Sequence, residues 1–71
     1  MMAVEREIVK IQLEPVYINF FNRIMEGYEY LGTVTTIDKV AGIVMVRTTA
    51  DFYSEVREII ENLPFSFAYI D

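Results

Sequence analysis

Residues 31–49 read LGTVTTIDKVAGIVMVRTT. Thr33 to Ile37 and Ile43 to Thr49 are runs of β-branched residues, the side-chain shape that packs well on a pleated surface. Between them DKVAG supplies Asp38 and Gly42 at turn positions. A loop of four or five residues containing glycine is an ordinary connection between antiparallel strands, so the stretch predicts a hairpin. Everything about the fold depends on what flanks it.

Upstream, residues 7–14, EIVKIQLE, alternate strictly: Val9, Ile11 and Leu13 fall on one face, Ile8, Lys10, Gln12 and Glu14 on the other. This is the pattern of a half-buried strand. Pro15 suits the first position of a helix, where its missing N–H costs nothing. The helix is predicted to run to about Glu26 and to stop at Gly27, which can adopt the left-handed conformation that ends helices. At roughly 100° per residue its apolar side chains Val16, Tyr17, Ile18, Phe20, Phe21, Ile24, Met25 and Tyr28 cover about 200° of arc, wider than a surface helix requires. One shoulder is therefore expected to pack on a loop or the second helix, or to place Tyr17, Ile18, Phe21 or Met25 against another subunit.

Downstream, Thr48 or Thr49 is placed to cap a second helix. Its apolar positions Phe52, Val56, Ile59, Ile60 and Leu63 make a stripe of about 120°, and Ser54, Glu55, Arg57, Glu58, Glu61 and Asn62 face water. Asn62, Leu63 and Pro64 stop it. The final FSFAYID is strand-like, with Phe65, Phe67 and Tyr69 on one face and Ser66, Ala68 and Ile70 on the other. Periodicity leaves open which of these faces the helices cover.

The order is β-α-β-β-α-β over residues 1–71 as a single domain. It predicts an α+β ferredoxin-like two-layer sandwich, a four-stranded antiparallel sheet with both helices on one face. Right-handed crossovers set the first and third strands side by side in the middle of the sheet. Val9, Ile11, Leu13, Val44 and Val46 are expected beneath the helices. Ile8, Lys10, Gln12, Ile43, Met45 and Arg47, with Thr33, Thr35 and Ile37, are expected on the bare side.

The chain of 71 residues is short enough that only about 60% of its unfolded surface is buried on folding. Apolar residues nevertheless make up 54% of it, against roughly 45–50% in an average chain. Domains this small add disulfides, metals or self-association to their cores, and here there is neither Cys nor His. Self-association, as a homodimer or a larger oligomer, is the expectation that remains, with Ile8, Lys10, Gln12, Ile43, Met45, Arg47, Phe21 and Met25 as candidate interface residues. Eleven acidic and six basic residues give a net charge of −5, which disfavours nonspecific attraction to nucleic acid or anionic membranes. The start MMAVEREIVK has no signal-peptide pattern, and no uncharged run approaches the ~20 residues of a membrane span. A cytoplasmic location is expected.

The fold hosts many activities, so function must be argued from sites. No Cys-x-x-Cys follows the first strand to hold a soft metal. That loop, LEPVYIN, also lacks the arginine and glycines of a phosphate cradle. IVKIQL and GIVMVRTT carry no aromatic residue on which RNA bases would stack. Ser54 and Ser66 have no histidine to activate them. Glu55, Glu58 and Glu61 lie on the polar side of a helix, and Glu26 and Glu29 around Gly27 are too few oxygen ligands for a cation site. A non-enzymatic domain with no cofactor is expected.

The element order and length resemble ACT-type regulatory domains. That likeness implies pairing through sheets or helices and amino acids bound at subunit interfaces. The loop Glu14–Pro15 lacks the glycine such domains carry after the first strand. A small-molecule site on this pattern would use Asn19, Tyr28, Glu29 and Tyr30. The run IVKIQLEPVYINFFNRIMEGYEYLGTVTTIDKVAGIVMVRT more closely resembles a family of short bacterial proteins of unknown function. In that family a strand ending near proline leads to an aromatic-rich helix, then EGYE, then a hairpin. It implies the fold and no activity.

Overall fold

Strict alternation gives the first strand its two faces, and the computed structural model, which describes residues 6–70, builds the chain around it. The elements are β1 (Arg6–Leu13), a 3-10 turn (Pro15–Tyr17), α1 (Ile18–Glu26), β2 (Thr33–Asp38), β3 (Ile43–Thr49), α2 (Tyr53–Glu61) and β4 (Phe67–Ile70). They form one antiparallel sheet in the order β2-β3-β1-β4, the ferredoxin-like α+β sandwich. Positions 1–5, read above for a signal segment, and Asp71 lie outside the described residues.

Cross-strand partners share a face, so the register decides what the helices cover. Val9 pairs with Val46 and Ile11 with Val44. All four are buried, as is Leu13, and they meet Ile18, Phe21 and Met25 from α1, Leu31, and Val56 and Ile60 from α2 in one core. Each large side chain fully removed from water contributes about 1.5–3 kcal/mol. Tyr69 pairs with Ile11 and Phe67 with Leu13, which resolves the open question of the last strand. Its aromatics lie on the helix side, and Ala68 and Ile70 lie on the bare side.

The structure corrects four local expectations. The segment from Pro15 opens as a 3-10 turn, with the Tyr17 N–H bonded to the Glu14 carbonyl, and becomes α-helical only at Ile18. Gly27 does end α1, but with a right-handed φ of −72°. The chain does not reverse there; it continues through turns in which Tyr28 N–H reaches Met25 and Leu31 N–H reaches Tyr28. Neither threonine caps α2. Phe52 precedes that helix, and Thr48 is buried with its hydroxyl donating to the Leu31 carbonyl. Last, β4 begins at Phe67, while Phe65 lies outside it, its ring stacked on Tyr17 at 4.6 Å between centroids.

The hairpin is tied to the central strand. Gly42 has φ +80°, a conformation that costs residues with a Cβ. Its carbonyl accepts the Leu13 N–H at 2.8 Å, and the Gln12 side-chain amide donates to the Ala41 carbonyl at 3.0 Å. Asp38 Oδ1 accepts the N–H groups of Val40 and Ala41, closing the turn from inside.

Candidate functional site

Alternation that sends Val9, Ile11, Val44 and Val46 into the core must send their neighbours to the opposite face of the sheet. Ile8, Lys10 and Gln12 of β1 therefore lie beside Arg47, Met45 and Ile43 of β3, registered pair by pair in that order. Thr33 and Thr35 extend the face on β2, opposite Arg47 and Met45, and Ala68 and Ile70 extend it on β4. No described element covers it. Ile8 is half exposed, Met45, Ile43 and Ile70 are half-buried, and Arg47 and Thr35 are exposed. Because Phe67 and Tyr69 face the helices, the bare side is mixed rather than aromatic.

Six of the eight sequence-derived interface candidates are thus brought together on one surface. The other two, Phe21 and Met25, are not surface residues at all: they are 0% and 2% exposed in the core. Of the two readings of the broad apolar arc on α1, the packing of one shoulder on a loop is the one seen. Its inner side serves the sheet, and its outer shoulder, Tyr17 and Phe20, packs against Phe65, with Val16 exposed beside it.

The four candidates for a small-molecule site do not converge. Asn19 borders a hollow with Phe20 and Arg23. Tyr28 and Tyr30 line another against α2. Glu29 lines a third, an open hollow of about 470 Å³ between the end of α1 and the β2 edge, shared with Asn22, Met25, Glu26, Gly32, Thr33, Val34 and Thr36. Sequence reading placed Glu26 and Glu29 around a turn but had no signal for Asn22, Thr33 and Thr36, which join them only once β2 folds back past α1. Asn22 Oδ1 is buried without a hydrogen-bond partner among the described residues. Among the described residues no Lys or Arg lines this hollow. Among the described residues there is no group of three or more His, Cys, Asp or Glu side chains placed to hold a metal.

At the opposite edge, Arg57 of α2 lies over the Tyr69 ring, 4.4 Å from its centroid, and its Nη1 donates to the Tyr53 hydroxyl at 3.3 Å. The Tyr69 hydroxyl donates to Glu61 at 2.9 Å, and Arg57 pairs with the same carboxylate at 3.4 Å. Partial burial, helped by the bond to Glu61 and opposed by Arg57, raises the Tyr69 hydroxyl above its ordinary pKa. The hydrogen bond with Tyr53, followed by Tyr69, raises that of Arg57 further. These contacts fasten α2 to β4 and leave the guanidinium engaged on three sides.

No helix among the described residues is long and apolar enough to cross a membrane. No curated protein and no solved structure matches the chain. Residues 11–66 match the family described as a domain of unknown function, DUF4911, a span from the middle of β1 to the approach to β4 that takes in both helices and the hairpin. The chain belongs to that family.

Proposed function

We propose that this chain is a non-enzymatic domain that associates with a second copy of itself along β2. The observation that carries the reading is the state of that edge. Thr33, Val34, Thr35 and Thr36 form an outer strand of uncharged, β-branched residues, exposed except for Val34. Such an edge presents unpaired backbone groups that template pairing with another strand unless charge, proline or a bulge blunts it. A register irregularity between Thr36 and Asp38 interrupts only its far end. Antiparallel pairing of two copies there yields a continuous eight-stranded sheet.

The alternative of pairing through the bare sheet faces is less favourable. A face-to-face contact would take Lys10 and Arg47 out of water, which is costly unless acids of the partner pair with them. Sedimentation equilibrium across micromolar concentrations tests edge pairing. The unmodified chain is expected to dimerise, Thr33→Lys/Thr35→Lys to remain monomeric, and an equimolar mixture with Thr33→Glu/Thr35→Glu to restore the dimer. A monomer at every concentration, or a lysine variant that still dimerises, refutes the reading.

The hollow at the same edge supports a second role, binding of a small organic amine. Glu26 and Glu29 supply carboxylates, and α1 ends here with the negative end of its dipole. A thermal-shift panel of primary amines against matched carboxylic acids decides it. A ligand at 100 times its dissociation constant adds about 2.7 kcal/mol, and the shift should vanish in Glu26→Gln/Glu29→Gln. Equal response to the acids removes the idea.

A further inference from the structure

We infer that the bare face of the sheet is the docking surface for an acidic amphipathic helix of another polypeptide. This docking does not depend on self-association, although Thr33 and Thr35 of the β2 edge border the same face. Its basis is the distribution of charge. The chain carries a net charge of −5, yet Lys10 and Arg47 stand on this face at diagonal positions of adjacent strands, since Lys10 pairs with Met45 and Ile8 with Arg47. Two acids border the face at its Gln12 end: Asp38, in register opposite Ile43, sits at the hairpin corner with Oδ1 accepting the Val40 and Ala41 N–H groups, and the exposed Glu14 follows β1 and lines a hollow with Gln12 and Ala68. Glu55, Glu58 and Glu61 are on α2, in the layer beyond the sheet. Layers stack about 10 Å apart, near the screening length at physiological salt. An occupant centred on Lys10 and Arg47 meets these two cations before it meets the acids at the Gln12 end of the face or on α2.

Apolar content selects the kind of anion. In register, Ile8 lies beside Arg47, Met45 and Ile70 flank Lys10, and Ile43 lies beside Gln12, and methionine and arginine beside aliphatic side chains are the composition of protein interfaces. Its strand positions hold no aromatic ring on which a nucleic-acid base would stack. Four strands span about 14 Å at ~4.8 Å spacing, the length of a helix of roughly ten residues. A helix with an apolar stripe flanked by Asp or Glu satisfies both features, covering Ile8 and Met45 while its carboxylates reach Lys10 and Arg47. It also completes a helix–sheet–helix sandwich over the side that α1 and α2 leave uncovered.

The test is a selection from a displayed library of 16-residue helical peptides, randomised at every outward position, against the full chain. Enriched sequences are expected to combine Leu, Ile or Phe at helical spacing with an excess of Asp and Glu. Their binding should weaken at least roughly tenfold in Lys10→Glu/Arg47→Glu, as for charge pairs at desolvated contacts. It should fall to an intermediate degree in Lys10→Ala/Arg47→Ala, which also guards against a folding defect in the reversal. Thr36→Lys, whose side chain is in register with Val44 on the helix side of the exposed β2 edge, adds charge to that edge without touching this face and should bind the peptides as tightly as the unmodified chain, even where it abolishes pairing through β2, so the two readings fail separately. Neutral or basic consensus peptides, affinity unchanged by charge reversal, or an empty selection overturns the inference. So does a single-stranded RNA that binds this face more tightly than any selected peptide.

Discussion

Replacing Gly42 by alanine is expected to cost about 3 kcal/mol, built from two effects described above. A Cβ on Gly42 would lie 1.8 Å from the Leu13 carbonyl oxygen, a backbone atom with no rotamer to escape through. The turn must therefore move, and the bond from the Leu13 N–H to the Gly42 carbonyl is lost with it, at about 1–1.5 kcal/mol. Holding alanine at φ +80° adds roughly 1–2 kcal/mol. The total is a large share of the ~4–10 kcal/mol available to a chain of this length. Gly27→Ala is the internal control. There φ is −72° and the new Cβ would meet the Ile24 oxygen at an ordinary 3.5 Å, so reduced freedom of the unfolded chain should stabilise by about 0.4–1 kcal/mol. Urea titrations followed by far-UV circular dichroism, at one protein concentration because association shifts apparent stability, measure both. A Gly42→Ala chain within about 0.5 kcal/mol of the unmodified one, on the order of an ordinary surface substitution, or a Gly27→Ala chain that loses as much as Gly42→Ala, refutes this account of the turn.

Phe21→Ala should lose about 3–5 kcal/mol, with Phe20→Ala well below it, because only Phe21 leaves a cavity in the core; urea midpoints rank them. Asp38→Ala strands two turn N–H groups and should cost about 1 kcal/mol, visible as a lower midpoint with an unchanged slope. The raised Tyr69 hydroxyl binds its proton more tightly in the folded chain. That contribution is complete below pH 10 and is lost as pH rises through the folded value; thermal melts should show a decline above pH 10 that is shallower in Tyr69→Phe.

Alternation in EIVKIQLE made the central strand legible, because the period of two assigns every side chain to a face without knowledge of its neighbours. GIVMVRTT was legible for the same reason, and the two together located Lys10, Met45 and Arg47 on one surface. FSFAYID alternates just as well but left its direction open, since only the pairing of Tyr69 with Ile11 chooses the face. The breadth of α1 left packing on a loop or the second helix and contact with another subunit both open, because Phe21 and Phe20 are indistinguishable in sequence. Depth of burial depends on the sheet beneath, which gives Phe21 to the core and Phe20 to Phe65. The hollow at β2 was invisible for a simpler reason: Asn22 and Thr36 acquire a shared environment only through tertiary folding.

The latch between the hairpin turn and β1 also bears on the order in which the chain folds. β2 and β3 are neighbours in sequence and can zip within microseconds, whereas β1 and β3 residues pair across roughly 30–40 positions and wait for a long loop to close. Gln12 reaches Ala41, and Leu13 reaches Gly42, across 29 positions, a shorter span than any β1–β3 pair in the ladder. Closure entropy grows with loop length, so this end is the least costly place for β1 to join the hairpin, and loosening the latch should slow folding as well as accelerate unfolding. The turn then acts as a landing point for the central strand, bearing on how quickly the native register is found as well as on how long it survives.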